Sequence, residues 1–257
     1  MALCLVGSEM CIRDSFGTGN LATHFLKAFE GLEAVSCVQW IGRKENPPRA
    51  NTTPYFNSFQ NDIEVDVCLL TISDDYISEV AQSFETNALV VHTAAAQPID
   101  VLAPHKRSGV FYPLQRFSQN QELSWKNIPI CLEANDKTDL DILKKLAQQL
   151  SNEVHFVTTK QRLHLHAAAV FANNFCNHLL GISQEITSNA ALPHTLLHPI
   201  IKETLSRSLD SNAKEHQTGP AIRNDKKTQS KHIDILTAEE AVLYRALSQS
   251  IYKIHNK

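Results

Sequence analysis

The chain has 257 residues, 43% of them hydrophobic, enough for one large core or two of ordinary size. Its formal net charge is −3 and no basic stripe extends beyond the short Asp225-Lys226-Lys227 patch, which excludes nucleic acid as the expected partner. The six cysteines show no C-x-x-C pair and no metal-ligand spacing, and no apolar run approaches the ~20 residues of a membrane span, so a cytoplasmic protein with reduced thiols, no metal and no membrane is expected.

The first strand is expected to lead into Gly17-Thr18-Gly19-Asn20-Leu21-Ala22, followed by a helix-like run from His24 to Phe29. Two glycines allow a tight turn and close approach of the backbone to a pyrophosphate. Ala22 allows close helix–strand contact, and the helix N-terminus offers unpaired N–H groups to the anion. Gly17, Thr18, Gly19, Asn20 and Leu21 are therefore candidate cofactor contacts, although the same pattern occurs in unrelated turns and its context has to decide. The approach, Cys11-Ile12-Arg13-Asp14-Ser15-Phe16, carries two charges where a central parallel strand should be driest. Val6 to Ser15 resembles a translated adapter junction, which predicts that residues 1–15 are not native; an irregular terminus is the alternative, and the more apolar Ala2–Gly7 competes for the same slot.

Glu33 to Ile41 is β-rich and ends in Gly42-Arg43-Lys44, where a dinucleotide fold places its ribose reader. An acidic residue there would accept the hydroxyls of NAD. Arg43 and Lys44 instead suit the 2′-phosphate of NADP, which is expected ahead of NAD; a surface Arg-Lys pair reads the same way, and position in the motif favours the cofactor. A loop rich in proline follows, with a short edge strand expected at Pro54 to Asn57. Val65 to Ile72 reads as a buried parallel strand and Ser73-Asp74-Asp75 as the cap of the next helix, with Asp74 an N-cap first and a ligand contact second. Ligands bind at the carboxyl ends of such strands, so Thr71 and Ser73 are candidates to line the cofactor.

Leu89 to Ala96 and Gly109 to Gln115 are two further strands. Small residues after the first permit close approach of a nicotinamide or substrate, with Thr93, Tyr112 and Gln115 as candidates for that wall. Ile128 to Glu133, a helix over Leu140 to Leu150 and Val154 to Val157 supply one more β-α-β unit. From Thr159 the period becomes helical, and Gln161 to Ser188 predicts one helix of about seven turns. His166, Asn173 and Asn177, spaced by 7 and 4, fall on one stripe of it, with Asn174 and His178 alongside. Polar residues on a largely apolar helix either form a network between helices or line a substrate pocket. Pro193 to Leu209 predicts the next helix; a polar loop from Glu215 to Asp225, a short helix and a last helix over Ala238 to Ile254 complete the chain. The expected organisation is α/β over residues 1–157 and helical over 158–257, the helical part packing against the crevice side and exchanging contacts in a homodimer.

Several stretches together resemble a family of bacterial Rossmann-like oxidoreductases with a C-terminal helical domain of unknown function: Gly17–His24, Ser73–Ile77, Val91–Thr93, Gly109–Ser118, His164–Leu179 and Gln217–Asp225. The glycine turn is similar to those of pyrroline-carboxylate reductases and deazaflavin-dependent NADP reductases. The two-domain plan is similar to ketopantoate reductase and the 6-phosphogluconate dehydrogenase group. The resemblance implies a Rossmann-like domain followed by an all-helical one, and NADP-linked hydride transfer to or from a small carbonyl or imine at the interdomain cleft. It implies that Asn174, Asn177 and His178 orient the substrate while His166 exchanges a proton. Gln217 and Thr218 become a lid or substrate wall, and Arg223 a partner for a substrate carboxylate, although the same loop reads as a helix-connecting turn. The alternative is a non-catalytic dinucleotide-binding regulator or scaffold, because no motif fixes a unique acid or nucleophile.

Overall fold

The computed structural model describes residues 12–16, 19–32, 35, 39–42, 54–57, 66–119 and 121–256. Gly17, Thr18, Arg43 and Lys44 lie outside them, as do Cys37 and the Ala2–Gly7 candidate strand. The strands are β1 (Ile12–Phe16), β2 (Gln39–Ile41), β3 (Tyr55–Phe56), β4 (Val67–Leu70), β5 (Leu89–His92), β6 (Ser108–Pro113), β7 (Ile130–Ala134) and β8 (Val154–Phe156). Helices α1 (Asn20–Glu30), α2 (Ile77–Gln82) and α3 (Lys137–Leu150) connect them. The charged approach to the glycine turn thus forms the first strand, its register slipping between Ile12 and Asp14 on the β4 side.

Among the described residues the eight strands make one sheet in the order β3-β2-β1-β4-β5-β6-β7-β8. Neighbours from β3 to β6 pair in parallel, β7 runs antiparallel to β6, and β8 is parallel to β7. The first six strands follow the doubly wound order whose direction of progress reverses between β1 and β4, where the carboxyl ends of the strands open a crevice. The period-two alternation of the strands sorts their side chains onto two covered faces. Val67, Leu69, Leu89, Val91 and Phe111 pack under Phe25 and Phe29 of α1 and Leu143, Leu146 and Leu150 of α3. Cys68, Leu70 and Val90 face Ile77 and Ala81 of α2 and Leu102. Cover on both sides is the reason Val67–Leu70 and Leu89–His92 are buried at every position. Gly109 marks the closest approach: a Cβ there would lie 2.8 Å from Leu143 Cδ1 and 3.1 Å from the Glu133 carbonyl oxygen.

Two expectations in the stretch from β4 to the long helix differ from the backbone. Ser73, not Asp74, holds the N-cap position, and the chain enters a single 3-10 turn, Asp74–Tyr76, without a side-chain cap; the Tyr76 N–H closes that turn onto the Ser73 carbonyl at 3.0 Å. The long helix begins as α4 (Thr159–Ala169), passes through a π-helical segment, Val170–Phe175, and resumes as α5 (Cys176–Asn189). A π turn holds more residues than an α turn, so the 7-and-4 stripe counted at 3.6 residues per turn does not carry through it.

The chain divides into two compact units, Met1–Ala168 and Ala169–Lys257. The second contains α5, α6 (His198–Asp210), α7 (Lys226–Ile233) and α8 (Ala238–His255), with 3-10 turns at His194–Leu197 and Ala213–His216. Pro193 precedes the first of these turns rather than opening α6, which carries its own proline, Pro199, in the first turn. A capping box between Thr237 and Glu240 starts α8. The architecture is a Rossmann-like α/β domain followed by an all-helical region. No helix of the described residues is long and apolar enough to cross a membrane, and among those residues no cluster of His, Cys, Asp or Glu is arranged to hold a metal ion.

Candidate functional site

Helix α1 starts on Gly19, whose extended backbone (φ −80°, ψ 179°) serves as the N-cap without a side-chain hydrogen bond. Among the described residues a Cβ on Gly19 would meet nothing within 4 Å, so none of them demands a glycine there. Open space over an uncapped helix N-terminus fits a dinucleotide pyrophosphate, which Gly19 and the first amides of α1 would hold. Asn20 turns its side chain aside: Nδ2 donates to the Phe117 carbonyl at 3.2 Å. His24 Nε2 lies 2.9 Å from the Ser118 carbonyl and stacks obliquely on Phe117. The segment after β6 is thereby strapped to the first turns of α1. Leu21 packs half-buried against the core below.

At the carboxyl ends of β4 and β5, Thr71 is buried and Ser73 exposed. The Thr93 hydroxyl donates to the Leu70 carbonyl at 3.3 Å, joining the ends of the two strands. His92 is fully buried; its Nδ1 accepts the Ala94 N–H at 3.1 Å, which assigns the proton to Nε2, and that nitrogen makes no hydrogen bond of ordinary geometry among the described residues. Burial first, and then the nearby Arg162 charge, push the His92 pKa down to about 4, against a smaller opposing pull from the backbone at Pro98.

Arg162, on the first turn of α4, is completely buried. Its guanidinium pairs with the Glu133 carboxylate and donates to the carbonyls of Gln97 and, at 3.2 Å, Ala95. Glu133 also accepts from the Thr159 backbone N–H and hydroxyl, each at 2.9 Å. The charge is satisfied on several sides, as a buried guanidinium requires. Its physical effect is to fix the loop of small residues after β5 against β7 and α4.

One turn on, His166 meets β6. The Tyr112 hydroxyl and His166 Nδ1 are 3.4 Å apart, with the rings edge to face at 6.4 Å between centroids. Burial and the Cys131 thiol raise the Tyr112 pKa, Arg162 opposing and Asp74 adding to it. Burial and Asp75 raise the Asp74 pKa, and the nearby His166 charge draws it back down. The Cys131 thiol beneath is itself raised by burial, partly offset by Arg162. The end of β6 and the second turn of α4 thus bring a phenol and an imidazole together within the first unit.

Of the remaining sequence candidates, Gln115 lies in the first unit and the others in the helical one. Gln115 is exposed and its Oε1 accepts the Arg116 N–H at 2.7 Å. Asn174, Asn177 and His178 are exposed residues of the helical unit, with Asn174 Oδ1 accepting from Asn173 Nδ2 at 3.5 Å. Gln217 is half-buried and donates to the Thr218 carbonyl at 3.0 Å, next to Gly219, whose φ of +105° is a conformation side chains disfavour. Thr218 and Arg223 are exposed, and the Arg223 charge helps hold the Asp225 carboxyl below its usual range, behind the hydrogen bonds from Thr228 that do most of that work. The sequence did not single out Arg162, Glu133 or His92. Glu133 was the one charge ending an otherwise apolar strand run, the only local sign of the buried pair.

A family model described as a domain of unknown function, DUF2520, matches residues 128–251. Among solved structures, the "putative NADP oxidoreductase BF3122" of Bacteroides fragilis is 32% identical, with TM-score 0.82, 96% of this chain and 99% of that chain covered. Protein TM1727 of Thermotoga maritima is 21% identical at TM-score 0.75, covering 96% of this chain and 100% of that one. Pyrroline carboxylate reductase of Plasmodium falciparum, solved with NADP bound, is 11% identical at TM-score 0.59, with 97% and 100% covered, a likeness of fold alone. No curated protein matches the sequence. With a relative of that identity aligned over nearly its whole length, the chain belongs to the Rossmann-like, DUF2520-containing oxidoreductase family that includes the Bacteroides fragilis protein.

Proposed function

We propose that the chain is a cytoplasmic NADP-dependent oxidoreductase that transfers a hydride to or from a small carbonyl or imine compound. The observation carrying this reading is the Tyr112–His166 couple, 3.4 Å apart, at the carboxyl edge of a sheet whose first helix opens on Gly19 with no side-chain cap. A cofactor on that turn supplies the hydride; the protein supplies position and a proton. Arg43 and Lys44 read the 2′-phosphate, Thr71, Ser73 and Thr93 line the cofactor's path, and Gln115, Gln217, Thr218 and Arg223 contact the substrate. Asn174, Asn177 and His178 orient it.

Fluorescence titration tests the cofactor. NADPH is expected to bind at least about tenfold more tightly than NADH, and Arg43→Ala to remove the difference, since a charge-assisted hydrogen bond is worth roughly 1.5–3 kcal/mol. Equal affinity for the two, or affinity for neither, overturns the assignment. The proposal includes a homodimer formed by the helical unit, supported by the apolar side chains its helices leave open, among them Ile200 and Leu209 on α6 and Val242 on α8.

A further inference from the structure

The buried Arg162–Glu133 pair joins α4 and β7 to the loop that follows β5. We propose that Arg162 is a positioning residue for the nicotinamide half of the cofactor: from α4 it holds that loop in the shape that receives the ring, and it fixes the loop against the helix carrying His166. The inference rests on the NADP-dependent reading and deepens it.

The pleat of the sheet places the partners. His92 lies opposite Val110, and Val110 opposite Glu133, in one row across β5, β6 and β7; Tyr112 lies opposite Cys131 in the next row on the same face. Their neighbours Val91, Phe111 and Leu132 point the other way, into the core under α1 and α3. Helix α4 meets the first of these faces through Arg162 on Glu133 and, one turn on, through His166 beside Tyr112. Residues one turn apart share a helix face, so the helix that presents His166 is pinned by the same side chain that holds the loop.

The loop over residues 93–97 is tied along its length. The Thr93 hydroxyl donates to the Leu70 carbonyl at 3.3 Å and the Ala94 N–H to His92 Nδ1 at 3.1 Å. Arg162 takes the carbonyls of Ala95, at 3.2 Å, and Gln97, and Ala96 stands exposed between them. The first two ties come from β4 and β5 themselves; those of Arg162 come from another element. A guanidinium has the planar fork needed to reach two carbonyls and a carboxylate at once. A buried ion pair adds little to stability over a well-packed apolar pair, so what this one contributes is the conformation of the loop.

That conformation matters where the cofactor would end. With the pyrophosphate at the N-terminus of α1 and the 2′-phosphate read beyond β2, the strand order β2-β1-β4-β5 sends the nicotinamide half toward the ends of β4 and β5, where this loop begins. A loop already ordered receives that half without having to be ordered on contact. Lysine in place of Arg162 keeps a charge for Glu133 and loses the fork, so the loop carbonyls are released. The nicotinamide half then loses its support, while the adenosine half, held by α1 and the residues beyond β2, keeps its own. A merely structural arginine would instead lower stability and weaken both halves alike.

The test uses Arg162→Lys and the double variant Arg162→Met with Glu133→Gln, which removes both charges together and is expected to unfold in urea at a midpoint near the parent's. The first readout needs no cofactor. Nitrogen-15 relaxation is expected to take the backbone order parameters of residues 95–97 from about 0.85 in the parent to below about 0.6 in both variants. Unchanged values overturn the inference whether or not a cofactor binds. The second readout separates the two halves of the cofactor. Both variants are expected to bind adenosine 2′,5′-bisphosphate within about twofold of the parent and NADPH about tenfold more weakly, with reduced emission from the bound nicotinamide. Equal weakening of the two probes, or unchanged emission, overturns the positioning role and leaves the NADP-dependent reading standing. Failure of the parent itself to bind NADPH overturns that reading and this inference with it.

Discussion

His92 is a histidine kept neutral by its surroundings, and the consequence is a pH-dependent stability. With a pKa of about 4 in the folded chain and an ordinary value of 6.5, the unfolded chain binds more protons throughout that interval. The contribution is fully present above about pH 6.5 and is lost as pH falls toward 4, on the order of 3 kcal/mol in all. His92→Asn keeps an acceptor for the Ala94 N–H and removes the titrating group. Urea unfolding at pH 7 and pH 5 should show a clear loss for the parent protein and a smaller one for the variant; equal losses would mean that His92 carries no such burden. The sequence could not disclose this. A histidine ending a strand and an arginine opening a helix read as ordinary polar residues until the fold buries both. Tyr112 and His166 were both legible as candidates, one on a strand and the other on a helix 54 residues later; that they meet follows from α4 crossing the end of β6. Asp74 was read as a cap because Ser-Asp-Asp before a helix usually is one, and the 3-10 entry withdraws that role.

At the scale of elements, the strands were the most legible part, because parallel strands covered on both sides must be continuously apolar, and apolar runs this short between turn residues are too brief for a buried helix. Their pairing was not written so plainly. Nothing local to Ile130–Ala134 distinguishes a strand that continues the parallel run from one that turns back along β6. Gly109 offers a test of that packing. Gly109→Ala forces a methyl against Leu143 and against the Glu133 carbonyl, a backbone atom with little freedom to retreat. A loss of about 1–3 kcal/mol in chemical denaturation is expected, the usual cost of overpacking; an unchanged midpoint would mean that β7 and α3 yield more easily than their contacts suggest. The π segment in the long helix escaped the sequence because Val170–Phe175 holds neither proline nor glycine to mark a break.

At the scale of the whole molecule, the two units are built unequally. The first is layered on two apolar clusters, whereas Ala221, Gln229 and Ala241 are the only buried positions among the described residues of the second. Helices with so little interior are expected to gain one from a second copy. Sedimentation at micromolar concentration should give a dimer, and Ile200→Glu should weaken it by tenfold or more; a monomeric parent would refute the homodimer. The strap from Tyr112 to Ser118 has a different kind of consequence. Asn20 and His24 hold its far end to the helix that opens the dinucleotide turn, and Tyr112 stands at its near end. One short length of chain therefore ties the first turns of α1 to the phenol: under the proposed function, a cofactor at the N-terminus of α1 and a substrate at Tyr112 would load the same tether, a single mechanical element between two occupancies.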